Sequence, residues 1–377
     1  MSEKIFRFLE EHRPETPCLV VDLDIVEHNF HVMRGALPDA SIYYAMKANP
    51  APEIIQLLHR LGARFDTASI YEIEKCISLG IPPEHLSFGN TVKKQSHIAR
   101  AFGIGVCMFA FDSEAEADKL AVAAPGADVY CRFLMSGAGA DWPLSQKFGC
   151  DPAFSPDLLM RAAGLGLNPC GVSFHVGSQQ RDLRQWDVGI GAAARIFEAA
   201  AARGLKLRLV NLGGGFPAQY RSSIAPVEAH GAAIEEALER HFGRDRPEIL
   251  VEPGRSLPGD AGIIQAEVVL ISRKSANPDA RRWVYLDIGK FGGLAEVMGE
   301  AIQYRLRTPH DGTPTAAVVL AGPTCDEVDV LYDKAGYELP LALAIGDRIE
   351  FMSAGAYTSA YSSVGFNGFP PLREYYI

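Results

Sequence analysis

The stretch IYYAMKANP, residues 42–50, places one lysine directly after an apolar run that favours a β-strand. Lys47 follows Tyr43, Tyr44 and neighbouring apolar residues, and the Asn-Pro pair after it ends the run. Such a lysine is most often a cation whose stem lies along apolar surface while its charge reaches water. The alternative is a nucleophilic amine held in a pocket, as Schiff-base chemistry requires.

Three successive glycines in NLGGGFP end another apolar run and could cradle a phosphate. Gly213, Gly214 and Gly215 have no Cβ atoms, so their N–H groups can approach an anion closely. A tight turn between a strand and a helix is the alternative, and the spacing of a dinucleotide-binding loop is absent. Arg255 in EPGRS adds a cation and Ser178 in HVGSQ adds a hydroxyl, which favours the phosphate site.

Two further side chains, a histidine and a glutamate, follow β-favouring runs. His175 in SFHVGS has no companion at metal-ligand spacing, so we expect no metal site. The His175 side chain is either a core or rim residue whose hydrogen bonds are made within the protein, or a ring that stacks on a planar cofactor. Glu252 could pair with Arg255, or it could keep the nitrogen of a pyridine ring protonated. Pyridoxal phosphate needs a Schiff-base lysine, phosphate donors and an acid at that nitrogen, so the sequence predicts this cofactor on Lys47.

The elements that must position these residues alternate between strands and helices. From residue 41 to residue 254 we count eight β-favouring runs, each but the last followed by a helical pattern. This alternation favours a parallel sheet, and eight units predict a closed (β/α)8 barrel. Functional side chains of such barrels lie at the C-terminal strand ends. Those ends carry the residues above together with Asp66, Asn90 and Arg132.

The last third of the chain has a different pattern. From Ala261 onward, β-favouring runs are joined by turn residues with little helical pattern, which favours a mostly antiparallel β-domain. The predicted fold class is α/β, with a barrel that binds pyridoxal phosphate over residues 25–258 and a β-domain over residues 259–377. The early run TPCLVVDL, within residues 1–24, is expected to supply a strand to the β-domain.

Composition narrows the class of protein. The 377 residues carry a net charge of −10, which argues against nucleic acid or an anionic membrane as a partner. The charged N-terminus lacks the apolar core of a signal peptide, and no apolar run approaches a membrane span. Seven cysteines without a C-x-x-C pair indicate reduced thiols, so we expect a cytoplasmic protein.

Eight motifs in order along the chain resemble the ornithine/diaminopimelate/arginine decarboxylases, which are pyridoxal-phosphate enzymes of the alanine-racemase-like barrel fold. The motifs are YYAMKAN, FDTAS, CRFLMSGAGADWPLSQKFG, SFHVGSQ, LGGGFP, EPGRS, GPTCDEVD and GAYTSAYSSVGFNGF. The resemblance runs from about Thr16 to the C-terminus. In detail the chain is most similar to the ornithine and lysine/ornithine branch.

The resemblance implies a role for each matched residue. Lys47 would form the Schiff base, Glu252 would pair with the pyridine nitrogen, and His175 would stack on the cofactor. The phosphate would be held by six residues: Ser178, Gly213, Gly214, Gly215, Arg255 and Tyr357. The polar surroundings of the lysine and cofactor would come from four: Asp66, Glu72, Arg132 and Lys147.

The resemblance also implies a proton donor and a shared site. Cys325 of GPTCD would return a proton to the substrate α-carbon after carbon dioxide leaves, a role that suits a thiol. Asp326 would reach the distal amine of a substrate held by a partner subunit. Family members form head-to-tail homodimers in which this loop is donated across the interface.

The substrate is predicted to be a small basic amino acid. Glu300 is the best candidate for the second carboxylate on the distal amine, with Glu296 as the alternative, and Phe366 of the FNGF motif is a further substrate-binding residue. The leading hypothesis is decarboxylation of L-ornithine to putrescine, together with L-lysine to cadaverine. Diaminopimelate or arginine decarboxylation, racemisation, and a non-catalytic regulatory homologue stay as alternatives.

Overall fold

The computed structural model describes residues 2–142, 147–277 and 280–377. The PLSQ part of the third motif, residues 143–146, lies outside the described residues. By internal packing, the chain divides into two units. The barrel unit comprises Glu27–Pro217 and Ile224–Gly254, and the β-unit comprises Met1–Val26, Ala218–Ser223 and Arg255–Ile377.

The helices are mostly amphipathic and short. In the described part of the chain they are α1 (Glu3–His12), α2 (Leu23–Ala36), α3 (Pro52–Arg60), α4 (Ile70–Ser78), α5 (Gln95–Ile104), α6 (Glu114–Ala123), α7 (Ser155–Gly164), α8 (Arg184–Ala201) and α9 (Val227–Phe242). In α3, for example, proline stands at the favoured first position, and Ile54, Ile55 and Leu58 are fully buried. Among the described residues, no helix combines the length and apolar character needed to cross a membrane.

The strands divide between the two units. In chain order they are β1 (Cys18–Val21), β2 (Ala40–Ala45), β3 (Arg64–Thr67), β4 (Leu86–Phe88), β5 (Met108–Phe111), β6 (Asp128–Arg132), β7 (Ala140–Trp142), β8 (Asn168–Ser173), β9 (Ser178–Gln180), β10 (Leu209–Asn211), β11 (Glu248–Val251), β12 (Gly262–Arg273), β13 (Arg282–Leu286), β14 (Leu306–Arg307), β15 (Thr315–Ala321), β16 (Val330–Tyr332), β17 (Glu338–Pro340), β18 (Arg348–Met352) and β19 (Arg373–Tyr376).

The barrel unit is a closed parallel barrel, as the alternation predicts. Its strand order within the described residues is β2, β3, β4, β5, β6, β8, β10 and β11, and β11 pairs with β2 to close it. Strands in a parallel sheet that is covered on both faces read as continuous apolar runs, which explains the absence of alternation in the sequence. Tyr43, Tyr130 and Leu209 belong to a buried cluster contributed by several of these strands.

The β-unit is built on one mixed sheet that is mostly antiparallel. Its main path is β14, β18, β12, β13, β15 and β16. β1 pairs antiparallel with β12 and parallel with β19, and β17 pairs with β15. Ile5 and Leu9 of α1 pack with Cys18, Ile263 and Met352 in a buried cluster on this sheet. The predicted fold class, a barrel followed by a mostly antiparallel β-domain, is therefore confirmed.

Candidate active site

Lys47 lies on a short 3-10 turn, Met46–Ala48, immediately after β2. Its side chain is exposed, whereas Met46 and Ala48 on either side are buried. Asn49 holds the turn, because its backbone oxygen accepts a hydrogen bond from the Tyr44 hydroxyl at 2.9 Å. Because the turn breaks the strand at this point, it directs one cationic side chain out of an otherwise buried segment.

Asp66 is a buried carboxylate next to Lys47 in the barrel register. It lies on β3 opposite Ala45 of β2, and the Ser87 hydroxyl donates to its Oδ1 at 3.2 Å. Burial raises the pKa of Asp66, while the charges of Lys47 and Arg132 oppose this. The β4 side leaves no spare room, since a Cβ atom on Gly89 would lie 2.0 Å from the same oxygen.

Glu72 reaches this region from the first turn of α4. Ser69 caps the helix by accepting from the Glu72 N–H at 3.3 Å, and Oε2 of Glu72 accepts from the Ala68 N–H at 2.6 Å. These two bonds differ from a capping box only in that Glu72 reaches the residue before the cap, and they fix the carboxylate at the helix N-terminus. Burial raises the pKa of Glu72, and the backbone hydrogen bond opposes the rise.

Glu252 follows β11 and is the carboxylate that sequence analysis assigns to the ring nitrogen. Asn211 donates from Nδ2 to its Oε1 at 2.5 Å. Burial, and then the negative charge of Asp66, raise the pKa of Glu252 to about 7, against the opposing effects of Asn211, Lys47 and Arg132. A carboxyl with this pKa can hold or release a proton near neutral pH.

The glycine run is tightly packed after β10. A Cβ atom on Gly213 would lie 2.2 Å from the backbone oxygen of Phe174, and one on Gly214 would lie 2.6 Å from the backbone oxygen of Glu252. Gly213 and Gly215 also have φ angles of 68° and 108°, which favour glycine. Close backbone packing thus requires glycine here whether or not an anion binds.

His175 is a neutral ring held in one orientation. Its Nδ1 accepts from the Gly177 N–H at 3.0 Å, so the neutral ring carries its proton on Nε2. Burial and the charges of Arg132 and Lys47 lower the pKa of His175 well below its usual value. Such a ring suits stacking on a planar cofactor.

Arg132 and Ser178 complete the predicted residues of the barrel unit. Arg132 ends β6, and its guanidinium carbon lies 5.2 Å from the centroid of the Phe148 ring. Lys147 contacts the same ring at 5.0 Å. Ser178 begins β9, where it pairs opposite Trp142 of β7. The barrel unit therefore brings Lys47, Asp66, Arg132, His175 and Glu252 into one electrostatic environment.

Arg255 and Tyr357 lie together in the β-unit. Arg255 is almost completely buried, and its guanidinium donates from both terminal nitrogens to Glu296, at 2.6 Å each. The Tyr357 ring centroid lies 4.8 Å from the guanidinium carbon, and the Tyr220 hydroxyl accepts from the guanidinium at 2.8 Å. Of the two glutamates considered for the substrate amine, Glu296 is therefore already bound to an arginine.

Glu300 and Phe366 are the other two candidates for substrate binding in the β-unit, and their surroundings differ from those of Glu296. Oε1 of Glu300 accepts from the backbone N–H groups of Asp333 and Lys334, at 2.7 and 2.8 Å. Phe366 is partly exposed and contacts the Phe291 ring, with 4.6 Å between centroids. Glu300 thus has a fixed carboxylate, with one oxygen engaged by the main chain.

Cys325 and Asp326 project from the loop after β15, and both are exposed. The Cys325 N–H donates to Oδ1 of Asn367 at 2.7 Å, which ties the loop to the FNGF segment. Oδ1 of Asp326 accepts from the Val328 N–H at 3.0 Å, closing a local turn. An exposed thiol next to an exposed carboxylate can face a substrate.

Asp329 organises this loop, and sequence reasoning missed it. Its carboxylate is buried and accepts from the Lys290 N–H at 2.8 Å and from the Thr324 hydroxyl at 2.6 Å. Gly289 and Gly322 pack against it, since Cβ atoms there would lie 2.1 and 2.3 Å from its oxygens. The signal was a second aspartate in GPTCDEVD, which lies between two valines in the sequence. Asn211, the partner of Glu252, was missed as well, although a polar residue ends that apolar run in NLGGG.

Comparisons with known proteins identify the family of this chain. Residues 23–259 match the family described as pyridoxal-dependent decarboxylase, pyridoxal binding domain. The chain belongs to this family. Pyridoxal phosphate is therefore the cofactor of this decarboxylase, and the predicted enzyme class is confirmed.

Relatives of the decarboxylase match along nearly its whole length. It is 36% identical to the lysine/ornithine decarboxylase of Selenomonas ruminantium over 98% of this chain and 91% of that protein. The crystal structure of a lysine decarboxylase from the same organism covers 100% of this chain and 96% of that one, at 35% identity and a TM-score of 0.88. The arginine decarboxylase of Paramecium bursaria Chlorella virus aligns with 28% identity over all of both chains, at a TM-score of 0.90.

The barrel residues fit pyridoxal phosphate on their own chemistry. The cofactor needs an accessible amine, and Lys47 is exposed at a strand end. Its ring needs an acid partner, and the pKa of Glu252 lies near 7. It also needs a flat neighbour without charge, and His175 is a neutral ring held by Gly177.

Proposed function

We propose that the decarboxylase removes the α-carboxyl group of a basic L-amino acid, with L-ornithine converted to putrescine and L-lysine to cadaverine. The observation that carries this proposal is the exposed pair Cys325 and Asp326, a thiol followed by a carboxylate on one ordered loop. A carboxylate at this point suits a cationic distal group and disfavours the distal carboxylate of diaminopimelate. The Selenomonas relative is named for lysine and ornithine, which supports the same class of substrate.

The barrel residues would bind and orient the cofactor. Lys47 would hold it covalently through Nζ, and His175 would lie against its ring. When bound, pyridoxal phosphate supplies an electron sink for the electron pair left by the departing carbon dioxide. The Glu252 carboxylate would pair with the protonated ring nitrogen, and the Asn211 amide that donates to its Oε1 would hold it in place.

The phosphate would be held by donors without a metal ion. We propose the backbone of Gly213, Gly214 and Gly215 and the side chains of Ser178, Arg255 and Tyr357 for this role. Asp66 and Arg132 would balance the charge around Lys47, since the charges of Lys47 and Arg132 both act to lower the pKa of Asp66.

The proton that completes the reaction would come from Cys325. Its thiol is exposed, and the loop that carries it is held by Asp329 and Asn367. The Sγ proton would pass to the substrate α-carbon, while Asp326 binds the distal ammonium group. Glu300 and Phe366 would line the rest of the substrate site. We propose a head-to-tail homodimer in which Cys325 and Asp326 serve the partner's cofactor, and a cytoplasmic location stays a prediction.

A side-by-side assay tests the substrate. Purified protein with pyridoxal phosphate is given ornithine, lysine, arginine or diaminopimelate, and released carbon dioxide and the amine product are measured. We expect turnover with ornithine and then lysine. A higher kcat/KM with arginine or diaminopimelate would overturn the choice of substrate, and a bound cofactor without any turnover would indicate a regulatory homologue.

Mixing inactive subunits tests the shared site. Lys47→Ala and Cys325→Ala proteins are mixed under conditions of subunit exchange, and activity is measured. If Cys325 serves the partner, mixed dimers contain one intact site, and about a quarter of native activity returns from statistical mixing. Full exchange without any recovery would show that each chain builds its own site.

Product analysis of Cys325→Ala tests the proton donor separately. If Cys325 supplies the proton, this variant should still release carbon dioxide but should form an aldehyde beside the diamine and lose its cofactor during turnover. A variant that makes only diamine, slowly and without cofactor loss, would assign the proton to another group.

A further inference from the structure

The β-unit contains a buried ion pair in which Arg255 has a proposed role in binding phosphate and its partner Glu296 has none so far. Both terminal nitrogens of Arg255 donate to Glu296, one to each carboxylate oxygen, at 2.6 Å. The two residues are 3% and 6% exposed. A bidentate pair of this kind fixes the plane of the guanidinium as well as its position.

Two aromatic side chains restrict the same guanidinium further. Its carbon lies 4.8 Å from the centroid of the Tyr357 ring and 5.7 Å from that of Tyr220. The Tyr220 hydroxyl also accepts from the guanidinium at 2.8 Å, and the Tyr304 ring packs edge-on against Tyr220 at 5.4 Å. With its plane set by Glu296 and two aromatic rings close to it, Arg255 has few other orientations open to it.

Glu296 itself is supplied by an irregular segment. It lies in the 3-10 stretch Ala295–Glu300, where Gly299 and Glu300 have φ angles of 63° and 57°. The Ile302 N–H donates to the backbone oxygen of Glu296 at 3.1 Å. The segment lies outside the strands of the sheet, and it carries the Glu296 carboxylate to the buried guanidinium.

We propose that Glu296 is a positioning residue that orients Arg255 for the phosphate of the cofactor, and that it is not a ligand of the substrate amine. This inference rests on the proposed role of Arg255 in binding phosphate. Arginine recognises phosphate through the directions of its N–H groups as much as through its charge. A carboxylate bound to both terminal nitrogens fixes the directions of all the N–H groups of the guanidinium.

The test compares two ligands that differ by the phosphate group. Dissociation constants of pyridoxal phosphate and of pyridoxal are measured on cofactor-free protein by absorbance and fluorescence titration. In Glu296→Gln one carboxylate oxygen becomes an NH2 group that cannot accept from the guanidinium, so one of the two hydrogen bonds and the negative charge are lost and the plane of Arg255 is no longer fixed. We expect the preference for pyridoxal phosphate over pyridoxal to fall by about tenfold or more, since a hydrogen bond to a charged group has that value. The affinity for pyridoxal should stay within about twofold.

Three further variants make the result decisive. Arg255→Met with Glu296→Met removes both charges at similar volume, so it should fold and should show the baseline preference without the arginine. Glu296→Asp keeps the charge with a shorter reach and should lie between native protein and Glu296→Gln. Glu350→Gln alters a carboxylate that pairs with Arg307 in the same unit and should keep the native preference.

The outcomes distinguish the positioning role of Glu296 from the phosphate-binding role of Arg255. An unchanged or increased phosphate preference in Glu296→Gln and Glu296→Asp overturns the positioning role. If the double variant keeps the native preference, Arg255 does not bind the phosphate, and the assignment in the proposed function fails instead. If Glu296→Gln does not fold, the intermediate value expected for Glu296→Asp and the low value of the double variant carry the test.

Discussion

Two lysines follow strands of the barrel, and they have opposite surroundings. Lys47 follows β2 and has an exposed side chain. Lys93 follows β4, and its side chain is completely buried. Its Nζ donates to the backbone oxygens of Asn90 and Ala110, at 2.7 and 2.6 Å, and lies 2.9 Å from Oε1 of Glu116.

The difference shows what separates a structural lysine from a reactive one. An ammonium group has three donors, and three acceptors surround that of Lys93. Burial lowers the pKa of Lys93 to about 8, with Glu116 opposing the shift. A depressed pKa is often taken as a mark of a nucleophile. Here it belongs to the lysine that substrate cannot reach, so access rather than pKa identifies Lys47.

Loss of Lys47 should have the largest effect. In Lys47→Ala the covalent hold on the cofactor is absent, so we expect kcat to fall by about a thousandfold or more. The absorbance band of the bound cofactor should disappear, while the circular dichroism spectrum stays native because the side chain is exposed. Activity close to native would remove Lys47 from its proposed role.

Chemical labelling sharpens the same contrast in native protein. Borohydride reduction fixes the cofactor permanently to the amine that carries it, and peptide mass spectrometry locates that amine. We expect one label per chain, on the peptide with Lys47, and none on Lys93. A label on Lys93 would show that its buried site opens in solution.

Replacement of Lys93 should affect stability far more than turnover. Lys93→Met leaves the carbonyl groups of Asn90 and Ala110 without this donor, whereas Glu116 keeps Lys119. We expect the free energy of unfolding to fall by about 2 kcal/mol, since buried acceptors lose their partner. Urea denaturation gives the stability, and kcat should stay within about threefold of native. The matched exposed variant Lys94→Met should change neither.

The pH dependence of stability should show the smallest effect. The pKa of Lys93 is about 8 when folded and about 10.4 when unfolded, so between these values the unfolded chain binds the extra proton. Native protein should therefore gain stability relative to Lys93→Met as pH rises from 8 to 10. Thermal unfolding of both proteins at pH 8 and pH 10 measures this difference. If the stability of native protein instead falls relative to that of Lys93→Met over this range, Lys93 is not a neutral buried lysine in the folded state.

The barrel could be predicted from the sequence because each strand is followed by a helix, so that strand ends recur at regular intervals along the chain. Lys47, His175 and Glu252 could be placed at strand ends by counting units, without knowledge of their partners. The pairing of Glu296 with Arg255 could not be predicted, because the two residues are 41 positions apart, with strands β12 and β13 between them, and only the folded β-unit brings them together. For the same reason, spacing alone could not distinguish Lys93 from Lys47, since the acceptors around Lys93 come from two further elements.

The packing of Asp329 against Gly289 and Gly322 constrains how this chain can change over evolutionary time. Cβ atoms at either glycine would lie within 2.3 Å of the carboxylate, so alanine is tolerated there only after the aspartate has gone. Once both glycines have been replaced, an aspartate that is restored at position 329 would clash with two Cβ atoms. A loss of this residue that is followed by replacement of the glycines is thus hard to reverse, and lineages that pass through it keep a differently built Cys325 loop.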